Sequence, residues 1–149
     1  PGDAAQQQGE STLSGLELEG NFEFGAFAVQ LAYSTLDAED PDGFALAASP
    51  DGQASAWVTW APVAVRGFHA GAGLRWVGES VSENSALRYV TPDYFLGDLM
   101  LGYETSNGLD LALNVRNVTD EQYLTSCLTR GDCFPDLRRQ VNATVTYSF

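Results

Sequence analysis

The fold is decided by the last eleven residues of the chain, which read RQVNATVTYSF at positions 139–149. Every even-numbered residue in this stretch is polar, and every odd-numbered residue after Arg139 is apolar or aromatic. Successive side chains of a β-strand point to opposite faces. The stretch therefore predicts a strand with one apolar face and one hydrated face.

The same alternation recurs in six earlier segments, and helical periodicity is nearly absent. These segments are residues 12–19, 27–34, 56–60, 69–76, 97–103 and 109–116. Their hydrated faces carry small and charged side chains, for example Gly71, Gly73 and Glu17. We therefore predict an all-β fold with about seven antiparallel strands.

The connections between these segments alternate between short and long. The short ones are residues 20–25, 62–67 and 104–108, and the long ones are residues 37–54, 78–93 and 119–136. An antiparallel up-and-down order then places every short turn at one end of the sheet and every long loop at the other. This pattern, with aromatic residues near the strand ends, is typical of transmembrane outer-membrane β-barrels. The chain is therefore predicted to be a segment of such a barrel.

Two other architectures remain open at this stage. A soluble secreted β-sandwich that acts as a binding module would show a similar alternation and would bury its apolar face. A passive channel or small structural barrel, complete in itself, would pair its first strand with its last.

The charge balance excludes one class of partner. Among 149 residues there are 7 arginines, no lysine and 20 acidic residues, and the net charge is -13. Nucleic-acid binding requires a basic surface, so we expect no nucleic-acid partner. No apolar run reaches the 18 residues of a transmembrane helix, and the sequence contains neither the basic nor the apolar region of a signal peptide. Because every other feature indicates an exported protein, we expect that the chain has been cut from a longer one.

The two cysteines, Cys127 and Cys133, flank a turn-like stretch. His69 is the sole histidine, so a metal site lacks ligands, and a local disulfide in an oxidising compartment is the favoured interpretation. A pair of free loop thiols is the alternative. No nucleophile motif or glycine-rich phosphate loop occurs, so we expect neither an enzyme nor a cofactor.

Several segments, in order along the chain, resemble motifs of TonB-dependent outer-membrane receptors, most closely those for ferric siderophores. They are GLELEG at 15–20, LDAE at 36–39, RWVG at 75–78, VTPDYFLGD at 90–98, NVTDEQY at 117–123, SC at 126–127, CF at 133–134 and RQV at 139–141. The likeness covers about residues 11–149. The chain departs from it at Asp136, where many relatives have glycine.

This resemblance implies that residues 1–149 are the C-terminal segment of a 22-stranded barrel with a plugged lumen, located in a bacterial outer membrane. The plug domain and the motif that contacts TonB would lie in an absent N-terminal region, and residues 1–10 would be the remnant of a preceding loop. The implied function is TonB-dependent uptake of a ferric siderophore or similar scarce ligand. The implied partners are outer-membrane lipid, the remaining barrel strands, the plug domain, TonB, the barrel assembly machinery and the siderophore.

Three groups of residues are candidates for roles in such a receptor. Apolar positions at the chain end resemble an assembly signal: Val141, Val145, Tyr147 and Phe149. Charged residues of the hydrated face are candidate lumen or plug contacts, with the arginines able to pair with the aspartates: Arg75, Asp98, Asp110 and Arg116. Residues in the long loops are candidate ligand contacts: Phe44, Leu87 and Tyr89.

Other polar residues favour structural roles. Asn117, Thr119 and Asp120 are expected to shape a turn at the outer rim through side-chain to backbone hydrogen bonds. Arg139 has the same parity as the lipid-facing residues of its strand. We expect its side chain to act as an interface anchor or to bind a lipid phosphate. The carboxylates in residues 37–51 favour a solvated acidic loop over a cation site, because their spacing does not match an EF-hand.

Overall fold

The computed structural model describes residues 9–149, which form eleven β-strands. In chain order these are β1 (Thr12–Phe24), β2 (Phe27–Glu39), β3 (Gly52–Trp60), β4 (Phe68–Val77), β5 (Ser80–Glu83), β6 (Arg88–Thr91), β7 (Tyr94–Glu104), β8 (Leu109–Arg116), β9 (Leu124–Cys127), β10 (Cys133–Pro135) and β11 (Gln140–Tyr147). No helix among the described residues is long and apolar enough to cross a membrane.

Seven of the strands form a single antiparallel sheet in the order β1-β2-β3-β4-β7-β8-β11. Each strand pairs with the next long strand along the chain, so the sheet is an up-and-down meander. The short connections lie at one end of the sheet. The first, second and third long loops, residues 40–51, 78–93 and 117–139, lie at the other. The seven strands and the alternating connections are therefore confirmed.

The strand bounds differ from the prediction at the first hairpin. Residues 20–25 were predicted to be a turn, but β1 continues to Phe24 and pairs with β2 across a two-residue turn at Gly25. Gly20, Phe22 and Phe24 continue the parity of Leu18, so the strand keeps its apolar face past the glycine. The expected turn is wrong, because Gly20 lies within the strand and is paired with Leu31.

The long loops also contain structure that the alternation did not predict. β5 pairs with β6 inside the second long loop, and β9 pairs with β10 inside the third. These strands are only three or four residues long, too short to show a period of two.

One face of the sheet is apolar and is not covered by protein. Paired residues run across it in rows, such as Leu31, Ala56, Leu74 and Gly97. Large apolar side chains on this face are exposed in every strand of the sheet. A soluble sandwich would bury this face against a second layer, and the part of the chain that the structure describes forms no such layer. A small complete barrel would pair β1 with β11, but these are the two edges of the described sheet.

The buried residues are concentrated at the long-loop end. Apart from glycines, the described residues that are buried are Ala38, Ser80, Ser82, Thr91, Leu96, Asn117, Ser126 and Cys127. Most of them are polar and lie in the second and third long loops. Burial outside the sheet is therefore found mainly in the second and third long loops.

Candidate functional site

Arg75 and Asp98 form an ion pair on the polar face of the sheet. Arg75 Nε donates to Asp98 Oδ2 at 2.8 Å, and Arg75 Nη2 donates to Asp98 Oδ1 at 3.3 Å. Gly73 is the direct partner of Asp98 across the β4–β7 ladder. Arg75 itself is paired with Leu96, so its guanidinium reaches Asp98 diagonally across the strand pair. The structure thus joins two of the four candidate lumen residues.

Asp98 also binds the backbone where the chain leaves the sheet. Asn117, the first residue after β8, donates its N–H to Asp98 Oδ1 at 2.9 Å. Asn117 is 3% exposed and has a φ of 52°. Its side-chain Oδ1 accepts from the Glu121 N–H at 2.8 Å, and its Nδ2 donates to the Glu121 carbonyl at 2.9 Å. The expected side-chain to backbone turn is therefore present at Asn117.

Asp120 lies in the same turn, and its carboxylate ties the turn to the start of the last strand. Arg138 donates two hydrogen bonds to it, at 3.0 and 2.6 Å, and the Arg139 N–H donates a third at 2.9 Å. These donors lower the pKa of Asp120 to about 2. The Arg139 guanidinium lies 3.8 Å from the same carboxylate. Its role toward lipid stays a prediction.

Two tyrosines stack above the ion pair. The rings of Tyr94, at the start of β7, and Tyr123, in the third long loop, have centroids 4.1 Å apart. The Tyr123 hydroxyl donates to Asp136 Oδ2 at 2.7 Å. Burial, followed by this hydrogen bond, raises the pKa of Tyr123, and the bond lowers the pKa of Asp136. Asp136 thus holds the end of the loop.

The three long loops bind one another through polar contacts. The Cys127 N–H donates to Thr91 Oγ1 at 2.9 Å, and the Thr129 N–H donates to Ser82 Oγ at 3.2 Å. The second long loop also binds the first: Glu83 Oε1, on β5, accepts from the N–H of Ala45 at 3.0 Å. The β5–β6 hairpin therefore connects the first long loop to the third.

The predicted disulfide between Cys127 and Cys133 is present. The two residues are direct partners in the β9–β10 ladder, so the bond closes the hairpin at its last paired position. Arg130 and Asp132 form an ion pair at the hairpin tip.

The three candidate ligand contacts lie in two loops. Phe44 is half-buried in the first long loop, where its N–H donates to Asp40 Oδ1 at 2.9 Å. Leu87 and Tyr89 are exposed in the second long loop, with Tyr89 on β6 opposite Ser82. Their contact with a ligand stays a prediction.

The other candidate residues have few protein contacts. Asp110 and Arg116 are exposed on the polar face of β8, and neither forms an ion pair among the described residues. The assembly-signal residues Val141, Val145 and Tyr147 are exposed on the apolar face of the edge strand β11. Phe149 stacks on Tyr147 with centroids 6.4 Å apart. Their roles in plug contact and assembly stay predictions.

A carboxylate of the acidic first long loop binds the backbone of the same loop. Asp40 Oδ1 accepts hydrogen bonds from the N–H groups of Asp42 and Phe44, both at 2.9 Å. Within residues 9–149, no three histidine, cysteine or acidic side chains come close enough to hold a metal ion.

Sequence reasoning missed the way the polar face is packed. The ring of Trp57 covers Gly71 and Gly73 on the neighbouring strand, and the His69 ring covers Gly102. Rings therefore lie against the wall where the facing residue is glycine. The aromatic residues and the glycines of these strands can be seen in the sequence, but which ring lies on which glycine can be read only when the strand register is known.

A family model for the β-barrel of TonB-dependent receptor-like proteins matches residues 1–118. The chain belongs to the TonB-dependent receptor β-barrel family. The match ends within the third long loop, so the rest of that loop and β11 lie beyond it.

Curated relatives of this receptor segment are siderophore receptors. It is 29% identical over 162 residues to the ferrioxamine B receptor of Salmonella typhimurium. The aligned region covers all of this chain and 23% of that receptor. It is 30% identical to the ferrichrome outer membrane transporter/phage receptor of Escherichia coli K12, over 95% of this chain and 20% of the relative. The chain thus spans less than a quarter of the length of these relatives.

Solved structures confirm the barrel wall. The ferripyoverdine receptor of the Pseudomonas aeruginosa outer membrane matches with a TM-score of 0.78 and 25% identity, over 93% of this chain and 20% of that one. The ferric-catecholate import receptor Fiu of Escherichia coli K12, in its closed form, matches with a TM-score of 0.76 and 27% identity, over 96% of this chain and 22% of that one. The all-β barrel segment and its bacterial outer-membrane location are therefore confirmed. The family consists of transport receptors and not enzymes, as predicted.

Proposed function

We propose that the full-length protein carrying this chain imports a ferric siderophore across the outer membrane, with energy delivered through TonB. The chain supplies seven strands of barrel wall and three outer loops. The observation that carries the proposal is the identity of the relatives, which are receptors for ferrioxamine B, ferrioxamine and ferrichrome.

The physical features of the chain support this function. Its exposed apolar face fits the hydrocarbon of a membrane, and its opposite face carries small and charged residues suited to a hydrated lumen. Long loops that are joined to one another by hydrogen bonds offer a stable surface for ligand capture. The remaining barrel strands, the plug domain, membrane lipid and the assembly machinery are proposed as partners.

Uptake of radiolabelled iron tests the proposal. Cells that express the full-length protein as their sole siderophore receptor are given the ferric complexes of ferrioxamine B, ferrichrome or a catecholate. We expect saturable uptake of at least one complex, and loss of that uptake when TonB is deleted. Uptake that persists at the same rate without TonB would instead indicate a passive channel. Absence of both uptake and binding of all three would contradict a siderophore ligand of these classes.

A further inference from the structure

We propose that Asp98 is a positioning residue that fixes the third long loop against the barrel wall, and that ligand capture depends on this position. The second part rests on the proposed function. Both carboxylate oxygens of Asp98, a candidate lumen contact, accept hydrogen bonds within this chain. Oδ2 accepts from Arg75, and Oδ1 accepts from Arg75 and from the Asn117 N–H.

The hydrogen bond to Asn117 stands where the strand ladder ends. The β7–β8 pairing ends at Leu99 and Val115, and β8 ends one residue later. Asn117 is thus the first residue beyond the ladder, so its N–H has no partner on a neighbouring strand. Asn117 is also buried. A buried donor without an acceptor is unfavourable, so the carboxylate of Asp98 replaces the missing strand partner. The next N–H, from Val118, donates to the Gly97 carbonyl at 2.8 Å.

The rest of the third long loop is held in place relative to Asn117 by a series of contacts. Its amide holds Glu121 at both backbone groups, which fixes the turn. Two residues later, Tyr123 stacks on Tyr94, which lies on the same strand and face as Asp98. The disulfide hairpin that follows is bonded to the second long loop through Thr91. A shift at Asn117 would therefore move contacts in two of the three outer loops.

Three variants of the full-length protein test this role. Asp98→Ala removes both oxygens, while Asp98→Asn keeps one acceptor and removes the charge. Glu17→Gln is the matched control, because Glu17 is an exposed carboxylate of the same face, has no assigned role, and forms no ion pair among the described residues. Two readouts are measured in detergent. One is hydrogen exchange of the backbone amides in residues 117–123. The other is the equilibrium dissociation constant for ferric ferrioxamine B or, if the wild type does not bind it, for ferric ferrichrome or the ferric catecholate.

In Asp98→Ala we expect exchange in residues 117–123 to rise by roughly 10- to 100-fold, as for the loss of one buried hydrogen bond. We expect a smaller rise in Asp98→Asn and no change in the control. Exchange in β2 and β3 should not change, which separates a local effect from misfolding. The affinity for the ferric complex that the wild type binds should fall at least about fivefold in Asp98→Ala.

The two proposals fail differently. If exchange in residues 117–123 is unchanged in Asp98→Ala, the positioning role is overturned, whatever the wild type binds. If exchange rises but the affinity is unchanged, the anchor is structural only and its role in capture is overturned. If wild-type protein binds none of the three ferric complexes, the proposed function fails, and the exchange result still decides whether Asp98 fixes the loop.

Discussion

Replacing Leu99 with arginine should destabilise the barrel more than any polar substitution on the other face of the same strand. Leu99 lies on the apolar face, is 44% exposed, and is five residues from each end of the 11-residue strand β7. Eleven residues extend about 36 Å along the strand. At a barrel tilt of about 35–45° this covers roughly 25–30 Å of membrane, so Leu99 lies near the midplane.

The magnitude follows from this depth. A lipid-facing arginine at the midplane costs about 2–4 kcal/mol, and the cost falls to about 0–1 kcal/mol near the interfaces. Met100→Arg is the matched control, because Met100 is the next residue on the same strand and lies on the polar face. Tyr103→Arg controls for depth, since it lies on the apolar face near the strand end.

The assay is a urea titration of the full-length protein folded into phospholipid vesicles. We expect the free energy of unfolding to fall by about 2–4 kcal/mol for Leu99→Arg, and by clearly less for the two controls. A Met100→Arg variant that loses as much stability as Leu99→Arg, or more, would refute the assignment of the two faces.

Three further outcomes are expected. Gly73→Leu should destabilise the wall by roughly 1–3 kcal/mol, because a side chain there would overlap the ring of Trp57; adding Trp57→Ala should restore most of the loss in the same titration. Because the pKa of Asp120 is lowered to about 2, its stabilising effect is complete above an unfolded-state pKa of about 4 and is lost as the pH falls toward 2. Amide protection of the turn should therefore fall over that range in the wild type, and an Asp120→Asn variant that shows the same fall would contradict this origin. Replacing Cys127 and Cys133 by serine should lower the local stability of the disulfide hairpin by about 2 kcal/mol, measured as faster amide exchange there, whereas equal acceleration throughout the sheet would show that the bond acts globally.

The sequence predicted the strands because their signal is local. Each strand meets lipid on one face and a polar space on the other, so a period of two is imposed on every segment, as in residues 139–149. The same signal extends through Gly20 to Phe24, where the predicted turn is wrong and the strand continues to the two-residue turn at Gly25. The disulfide was also predicted, because its cysteines are close in the chain.

The contacts of the outer rim were decided by the tertiary structure. Asp98 was recognised as a distinctive charge, but its partners are 23 residues earlier and 19 residues later in the chain. The bond between Thr129 and Ser82 joins residues 47 positions apart. No spacing in the sequence encodes such pairs, because they depend on the strand register and on where each strand ends. The sequence by itself therefore determined a membrane-facing β-sheet with long loops on one side, and only the tertiary structure determined how those loops are held.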